Sequence, residues 1–81
     1  MSKTYEYTFP TGAKATFPDE RIQPVADVIR QAATKCNGTI VDDDFDGDEQ
    51  IIAVCFPEIL DECRFVIETS CLPRGVLLSI H

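Results

Sequence analysis

The sequence has little positive charge and few of the side chains that usually carry out catalysis. Its 81 residues include seven Lys and Arg against fourteen Asp and Glu, and the one His is the last residue, His81. A histidine at a chain end is usually mobile, and no Ser or Cys can be paired with a base that the sequence implies. A glycine-rich phosphate loop is absent. We therefore expect a protein that is not an enzyme.

Long apolar segments are missing as well. No run approaches the roughly 20 residues needed to span a bilayer, and residues 1–6 lack the apolar core of a secretory signal. We expect a cytoplasmic protein, in which the four cysteines stay reduced. The apolar fraction of 44% is ordinary for a globular chain. The sequence therefore predicts one folded domain over residues 1–81.

The cysteines lack the spacing of a zinc site. Cys36, Cys55, Cys63 and Cys71 are separated by 19, 8 and 8 positions, whereas structural zinc sites use pairs separated by about two to four residues. Cys36, Cys55 and Cys63 fall on predicted apolar faces, and we interpret them as small buried side chains. Cys71, in a turn, is the thiol that we expect to be exposed.

Negative charge is concentrated in one part of the sequence. Residues 42–49 hold six carboxylates, and residues 42–62 hold nine of the fourteen acids with no Lys or Arg. The rest of the chain carries five acids and seven bases, so the net charge of −7 is a local feature. Such a charge disfavours direct binding to nucleic acid or to an anionic membrane. It favours a basic protein surface or a metal ion as partner.

The clearest predicted element is a long helix over residues 24–36. Its apolar residues recur at i, i+3, i+4, i+7, i+8 and i+11, which is the period of one buried helical stripe. Pro24 suits the first position of a helix, and Asn37-Gly38 supplies a stop. Residues 57–70 are a second, ambiguous candidate.

Five strands are predicted from alternating or continuous apolar runs. In chain order they lie at 3–9, 13–17, 39–41, 50–56 and 76–80. We interpret the first two as a hairpin, because residues 10–12 have the composition of a turn. Asp46-Gly47 is a strong signal for another hairpin, between the third and fourth strands.

Residues 57–70 fit either a helix or a turn followed by a strand. A helix would place five apolar side chains on one face: Ile59, Leu60, Cys63, Val66 and Ile67. Phe65 would then point away from that face, whereas a strand would place it beside Cys63 and Ile67. In either case the sequence predicts an α+β fold. We expect an antiparallel sheet of five or six strands with the long helix packed on one face.

The acidic segment contains half of a calcium-binding motif. Asp42, Asp44 and Asp46, followed by Gly47, match the first six positions of a calcium loop. The twelfth position, which needs a bidentate Glu, is Ala53. An extended hairpin would also hold successive acids roughly 6.6 Å apart instead of wrapping them around an ion. We therefore expect no metal or other cofactor, and a small calcium-binding module is kept as an alternative.

A line of carboxylates on a strand also suits a basic groove, because its charge spacing is comparable with that of nucleic acid. In size, charge and predicted fold, with Asp42-Asp43-Asp44 and Asp46-Gly47-Asp48-Glu49 on a hairpin, the sequence resembles the small acidic anti-CRISPR and anti-restriction inhibitors encoded by phages. Several of those inhibitors mimic nucleic acid. The resemblance implies a protein that acts in the cytoplasm of the host bacterium and occupies the DNA-binding surface of a CRISPR effector complex.

The resemblance implies a contact set drawn from the acidic segment. Its members are Asp42, Asp43, Asp44, Phe45, Asp46, Asp48, Glu49, Glu58, Asp61 and Glu62. Phe45, at the predicted hairpin tip, is the aromatic residue expected to contribute most to binding; partial burial against the sheet edge is its alternative. An immunity protein that neutralises a basic nuclease toxin fits the same charge pattern, and nothing in the sequence separates the two functions.

Overall fold

A computed structural model describes residues 3–81 and shows an α+β fold with six strands and two helices within that range. In chain order the elements are β1 (Thr4–Pro10), β2 (Lys14–Thr16), β3 (Ile22–Pro24), α1 (Val25–Lys35), β4 (Thr39–Asp46), β5 (Glu49–Cys55), α2 (Ile59–Glu68) and β6 (Leu77–Ile80). Neither helix in this range is long and apolar enough to cross a membrane.

Four strands form one antiparallel sheet in the order β4-β5-β1-β6. β1 is central and pairs with two distant segments, so that Tyr7 lies opposite Ile52 of β5 on one side and opposite Leu78 of β6 on the other. β4 and β6 are the two edges. The first strand of the chain is therefore held by segments that come much later in the sequence.

The predicted hairpin between the first two strands is wrong. β2 pairs with β3 in a separate two-stranded sheet, and β3 is a strand that the sequence pattern did not indicate. After the turn at Thr11-Gly12, the chain leaves the main sheet and brings Ala15, which is buried, into the core. The main sheet therefore has four strands, and not five or six.

Helix α1 confirms the prediction from the sequence. It begins at Val25, because Pro24 is the N-cap residue and still belongs to β3. The apolar stripe is buried against the sheet, and it comprises Val25, Val28, Ile29, Ala32 and Ala33. The helix ends in a Schellman motif: the N–H groups of Asn37 and Gly38 donate to the carbonyl oxygens of Thr34 and Ala33. Asn37 adopts the left-handed conformation that this motif needs, with φ of 61°.

The core lies between the sheet and the helices, and aromatic rings dominate it. Phe65 of α2 is fully buried, and its ring centroid lies 6.0 Å from Tyr5, 5.8 Å from Tyr7 and 4.7 Å from Phe56. The two tyrosine contacts are edge-to-face, the arrangement that the ring quadrupoles favour. These contacts decide which side of α2 faces inward.

The ambiguous segment 57–70 contains a helix, α2 (Ile59–Glu68), and the apolar stripe of this helix faces outward. Phe65 is the residue of this helix that is buried, whereas the stripe is exposed: Ile59 by 72%, Leu60 by 67%, Val66 by 49% and Ile67 by 71%. A helix cannot bury Phe65 and this stripe on one surface, because they lie on opposite sides of its axis. The aromatic contacts of Phe65 determine the orientation.

The cysteines match the predictions only in part. Cys36 is buried as predicted, but Cys63 is exposed and Cys71 is half-buried against the core. The expected exposure of Cys71 and burial of Cys63 were wrong because α2 turns its apolar stripe outward. Cys55 is half-buried, with its Sγ 3.0 Å from Oγ1 of Thr4. All four thiols are free.

Candidate functional site

One face of the four-stranded sheet is not covered by the helices. Residues directly opposite one another in antiparallel strands point to the same face, and neighbours along a strand point to opposite faces. Tyr5, Tyr7, Ile52 and Val54 are in the core with both helices and the β2–β3 hairpin. The other face, which we call the open face, carries Thr4, Glu6, Thr8, Asp42, Asp44, Asp46, Glu49, Ile51, Ala53, Cys55, Leu77 and Ser79.

The open face is acidic. Five of its side chains are carboxylates, and none of the residues that the described strands direct to it is Lys or Arg. Asp42, Asp44 and Asp46 alternate along β4, so their Cα atoms follow one another at about 7 Å. We call these three residues the carboxylate row. It lies on an edge strand whose eight residues are all exposed.

Two further carboxylates adjoin the carboxylate row. Glu49 of β5 lies directly opposite Asp46. Glu6 of β1 and Asp42 of β4 lie on either side of Ala53 of β5, which pairs with both. Like charges directly opposite each other on a sheet are destabilising, by roughly 0.2–1 kcal/mol for a pair. Among the strand residues that the structure describes, no Lys or Arg on this face offsets the repulsion. The arrangement therefore lowers stability and concentrates negative potential on this face.

Asp43 points to the other side of the sheet, and its charge is neutralised there. Nε of Arg30 donates to Oδ2 of Asp43 at 3.0 Å, and Nη2 donates to Oδ1 at 3.0 Å. Gln50 donates to the same Oδ1 at 3.5 Å. This bidentate pair connects β4 to α1. Asp43 therefore has a structural role and is not presented with the carboxylate row.

A β-bulge decides which acids reach the open face. The pairing of β4 with β5 shifts between Ile40, opposite Val54, and Asp42, opposite Ala53. The extra residue, Val41, reverses the alternation, because two residues of β4 then occupy the place of one. Without the bulge, Asp43 and Phe45 would face outward and the carboxylate row would face α1. Nothing in the sequence pattern indicated this bulge.

Phe45 is exposed by 60% but lies on the face opposite the carboxylate row. Its partner across the strands is Gln50, which is buried. Asp48 occupies the two-residue turn after Gly47, whose φ of 63° suits glycine. The carbonyl oxygen of Asp48 accepts a hydrogen bond from the N–H of Thr11 at 2.8 Å. The hairpin tip thus carries Asp48 at the end of the carboxylate row, whereas Phe45 points to the other side of the sheet.

The remaining acids of the predicted contact set lie at the other end of β5. That end is the one nearer to Asp42, which lies opposite Ala53. Glu58, Asp61 and Glu62 follow it beside or on α2, which packs on the core face of the sheet through Phe65. Glu58 is exposed at the N-cap of α2, whereas Asp61 and Glu62 are half-buried. The structure therefore does not bring these three residues together with the carboxylate row.

The carboxylates do not surround a common point. Within residues 3–81, no group of three or more His, Cys, Asp and Glu side chains is placed to hold a metal ion. Asp42, Asp44 and Asp46 follow an extended strand, whereas a calcium loop folds its ligands around the ion.

Comparison with known proteins gives a fold but no family. No protein-family model matches the chain, and no curated protein matches it. Among solved structures, the chain is similar to one described as the crystal structure of methylated RPA0582 protein. The TM-score is 0.52 at 10% sequence identity, and the match covers 99% of this chain and 79% of that one. At this identity the similarity concerns the arrangement of helices and strands alone.

Proposed function

We propose that the protein is an inhibitor that places its acidic open face on the basic nucleic-acid-binding surface of a partner protein. The observation that carries the proposal is the carboxylate row on an exposed edge strand, flanked by Glu6 and Glu49 and without Lys or Arg on the same face. The partner class is an effector complex of bacterial defence, of the kind that anti-CRISPR proteins block. The role is binding, without catalysis.

The geometry supports mimicry of a phosphate backbone. Successive carboxylates of the row are about 7 Å apart, similar to the spacing of phosphates along one strand of nucleic acid. The sheet holds them in place, so little conformational entropy is lost on binding. A groove lined by Lys and Arg would bind these carboxylates through the same electrostatic attraction with which it binds phosphates. Both ligands cannot occupy the groove together, and inhibition follows.

The test is displacement of labelled target DNA from purified CRISPR effector complexes, measured by fluorescence anisotropy. The protein should release the DNA from its target complex, and the affinity should fall as salt rises. The variant Asp42→Asn/Asp44→Asn/Asp46→Asn should inhibit at least about tenfold more weakly, because it removes three charged contacts that are desolvated in the complex. The same assay with purified nuclease toxins distinguishes the alternative, because an immunity protein should inhibit a toxin and not a CRISPR effector complex.

A matched control removes the same charge elsewhere. Asp19→Asn/Glu20→Gln/Glu58→Gln also changes three acids to amides, but these three residues lie in loops and at the α2 N-cap, away from the strands of the open face. This control should inhibit as well as the unaltered protein. Equal losses in the two variants would mean that only net charge matters, and would contradict a role for the open face. Retained inhibition by the carboxylate-row variant would contradict it as well.

A further inference from the structure

A second surface, separate from the acidic one, combines an outward-facing apolar helix with an unpaired sheet edge. It comprises Ile59 and Val66 of α2 with Leu78 and Ile80 of β6, and Leu60 and Ile67 adjoin it on α2. The two elements are contiguous, because Val66 and Leu78 line the same groove of about 280 Å³. All six side chains are about half exposed or more, although exposed apolar residues normally occur singly. We call this the apolar edge.

The two edges of the sheet differ in how they are protected. Natural edge strands avoid pairing with other chains by carrying charges or bulges. β4 has both devices, since it carries the carboxylate row and the bulge at Val41. β6, with the sequence Leu77-Leu78-Ser79-Ile80, has no charge and no proline. Its protection is its short length of four residues, so β6 is the edge that is more open to another strand.

We propose that the apolar edge is the interface of a homodimer, in which β6 of one copy pairs antiparallel with β6 of a second. The N–H of Thr4 donates to the carbonyl of His81 and the N–H of His81 donates to the carbonyl of Thr4. Because antiparallel bonding alternates, Leu78 and Ile80 direct their backbone groups to the free edge. A twofold axis at Ser79 pairs Leu78 of each copy with Ile80 of the other. The free backbone N–H and C=O groups of both residues then all form hydrogen bonds.

The same twofold axis places both copies of α2 on one side of the dimeric sheet. Strands lie about 4.8 Å apart, and α2 packs over β1 through Phe65, with its Val66 side towards β6. Across a β6–β6 junction, the two copies of α2 would therefore be separated by three strand spacings, about 14 Å. This is wider than the 8–10 Å of closely packed helices, and Leu78 and Ile80 of both copies, which face the same side of the sheet as Tyr7 and Tyr5, would lie in the space between them. Ile59, Cys63 and Val66 occupy i, i+4 and i+7 on that side.

The apolar area is of the size that a dimer needs. A side chain of Val, Leu or Ile buries on the order of 100 Å² of apolar surface, and the exposed apolar residues of α2 and β6 retain 46–72% of their accessibility. Together they offer on the order of 400 Å². The smallest stable interfaces bury about 600 Å² per partner, of which about two-thirds, roughly 400 Å², is apolar in homodimers. Backbone and polar atoms of β6 and α2 supply part of the remainder.

The position of the carboxylate rows is compatible with a second copy as the occupant. With a net charge of −7, two copies repel each other unless their acids are far apart. β4 is three strands away from β6, so an eight-stranded dimeric sheet would separate the two carboxylate rows by on the order of 30 Å. That distance exceeds the Debye length of about 8 Å at physiological salt. The interface strand β6 carries no charge, whereas α2 carries Asp61 and Glu62 in its first turn. The repulsion that remains at the junction therefore comes from α2, and it should weaken as salt rises.

Sedimentation equilibrium of the full chain tests the proposal. The mass should rise with concentration from the 9.0 kDa of one chain to twice that value. The variant Ile59→Lys/Val66→Lys should raise the dimer dissociation constant at least tenfold. The control Ile22→Lys/Phe45→Lys alters two residues of similar exposure, 61% and 60%, that lie off the apolar edge. It changes the net charge equally and should dimerise normally.

Amide exchange in the unaltered chain gives a second measurement that does not depend on variants. The amides of Leu78 and Ile80 should exchange at least tenfold more slowly at a concentration where the dimer dominates than at one where the monomer does. A mass of 9.0 kDa at all concentrations up to about 1 mM would overturn the proposal. The apolar edge would then be a surface for binding a different protein. Loss of dimer in the control variant, or concentration-independent exchange at both amides, would also overturn it.

Discussion

Glu62 occupies an unusual position for a carboxylate on a helix. It lies on the inner side of α2, and its Oε1 is buried with no hydrogen-bond partner among residues 3–81. Tyr5, a buried residue of β1, is close enough to be affected: burial raises the pKa of Tyr5 above 10.0, and the charge of Glu62 raises it further. Burial also raises the pKa of Tyr7. Both phenols therefore resist ionisation in the folded protein.

The variant Glu62→Gln is expected to lower the pKa of Tyr5 toward 10.0, because it removes the charge that adds to the effect of burial. The pKa of Tyr7, which owes its rise to burial, should change much less. Tyrosinate absorbance measured during an alkaline titration follows both groups. Glu68→Gln, on the same helix, is the control. An unchanged titration in Glu62→Gln would contradict the assignment.

The same shifts set the direction of the stability change in alkali. The folded pKa values of Tyr5 and Tyr7 lie above the unfolded value of 10.0, so the unfolded chain releases these protons first. The stability that the neutral phenols contribute is fully present below pH 10.0 and is lost as the pH rises through the folded pKa values. The loss should be smaller in Glu62→Gln. Chemical denaturation at a series of alkaline pH values measures it.

The junction between α1 and β4 depends on the absence of a side chain at Gly38. A Cβ at this position would lie 2.6 Å from Cε1 of Phe56 and 2.9 Å from Cγ1 of Val54. Both partners are buried in the core and cannot move freely. Gly38→Ala should therefore lower the free energy of unfolding by about 1–3 kcal/mol in urea denaturation. Gly75→Ala, with no atom within 4 Å of the added Cβ, should change it by less than about 0.5 kcal/mol; equal effects would contradict the steric argument.

Elements whose local pattern and burial agree could be predicted from the sequence. The stripe of α1 is periodic and it is also the surface that the helix buries, so pattern and packing lead to one answer. In α2 they disagree, because three aromatic rings of the core contact Phe65 while the periodic stripe stays outside. Periodicity shows which side chains share a face, but which face is buried depends on contacts with β1 that are distant in sequence.

Of the two predicted hairpins, one is confirmed and one is wrong. β4 and β5 pair across the Asp46-Gly47 turn as predicted, whereas β1 and β2 occur close to their predicted ranges but do not pair with each other, because β1 pairs with β5 and β6. β4 continues to Asp46 although Asp is unfavourable in strands, since the ladder with the buried β5 holds it extended. Likewise, the acid-rich segment was visible in the sequence, but the bulge at Val41 determines which of its carboxylates share a face.

The whole molecule distributes its charge unevenly between the two faces of the sheet. The core side carries pairs of opposite charge, such as Arg30 with Asp43 at 2.8 Å and Lys35 with Glu68 at 3.0 Å. The open face carries carboxylates without basic partners among the described strands. Salt therefore has opposite effects on the two sides: it weakens the attractive pairs slightly, and it screens the repulsion on the open face.

Repulsion on the open face should make the protein more stable as sodium chloride increases. Between about 0.05 M and 0.5 M, the Debye length falls from roughly 14 Å to 4 Å, which is shorter than the about 7 Å between row carboxylates. We expect the thermal midpoint, measured by circular dichroism at low protein concentration, to rise by a few degrees. Asp42→Asn/Asp44→Asn/Asp46→Asn should melt higher at low salt and gain less from added salt. The control Asp19→Asn/Glu20→Gln/Glu58→Gln should retain most of the salt dependence. If both variants respond alike, the repulsion belongs to the overall charge and not to the carboxylate row.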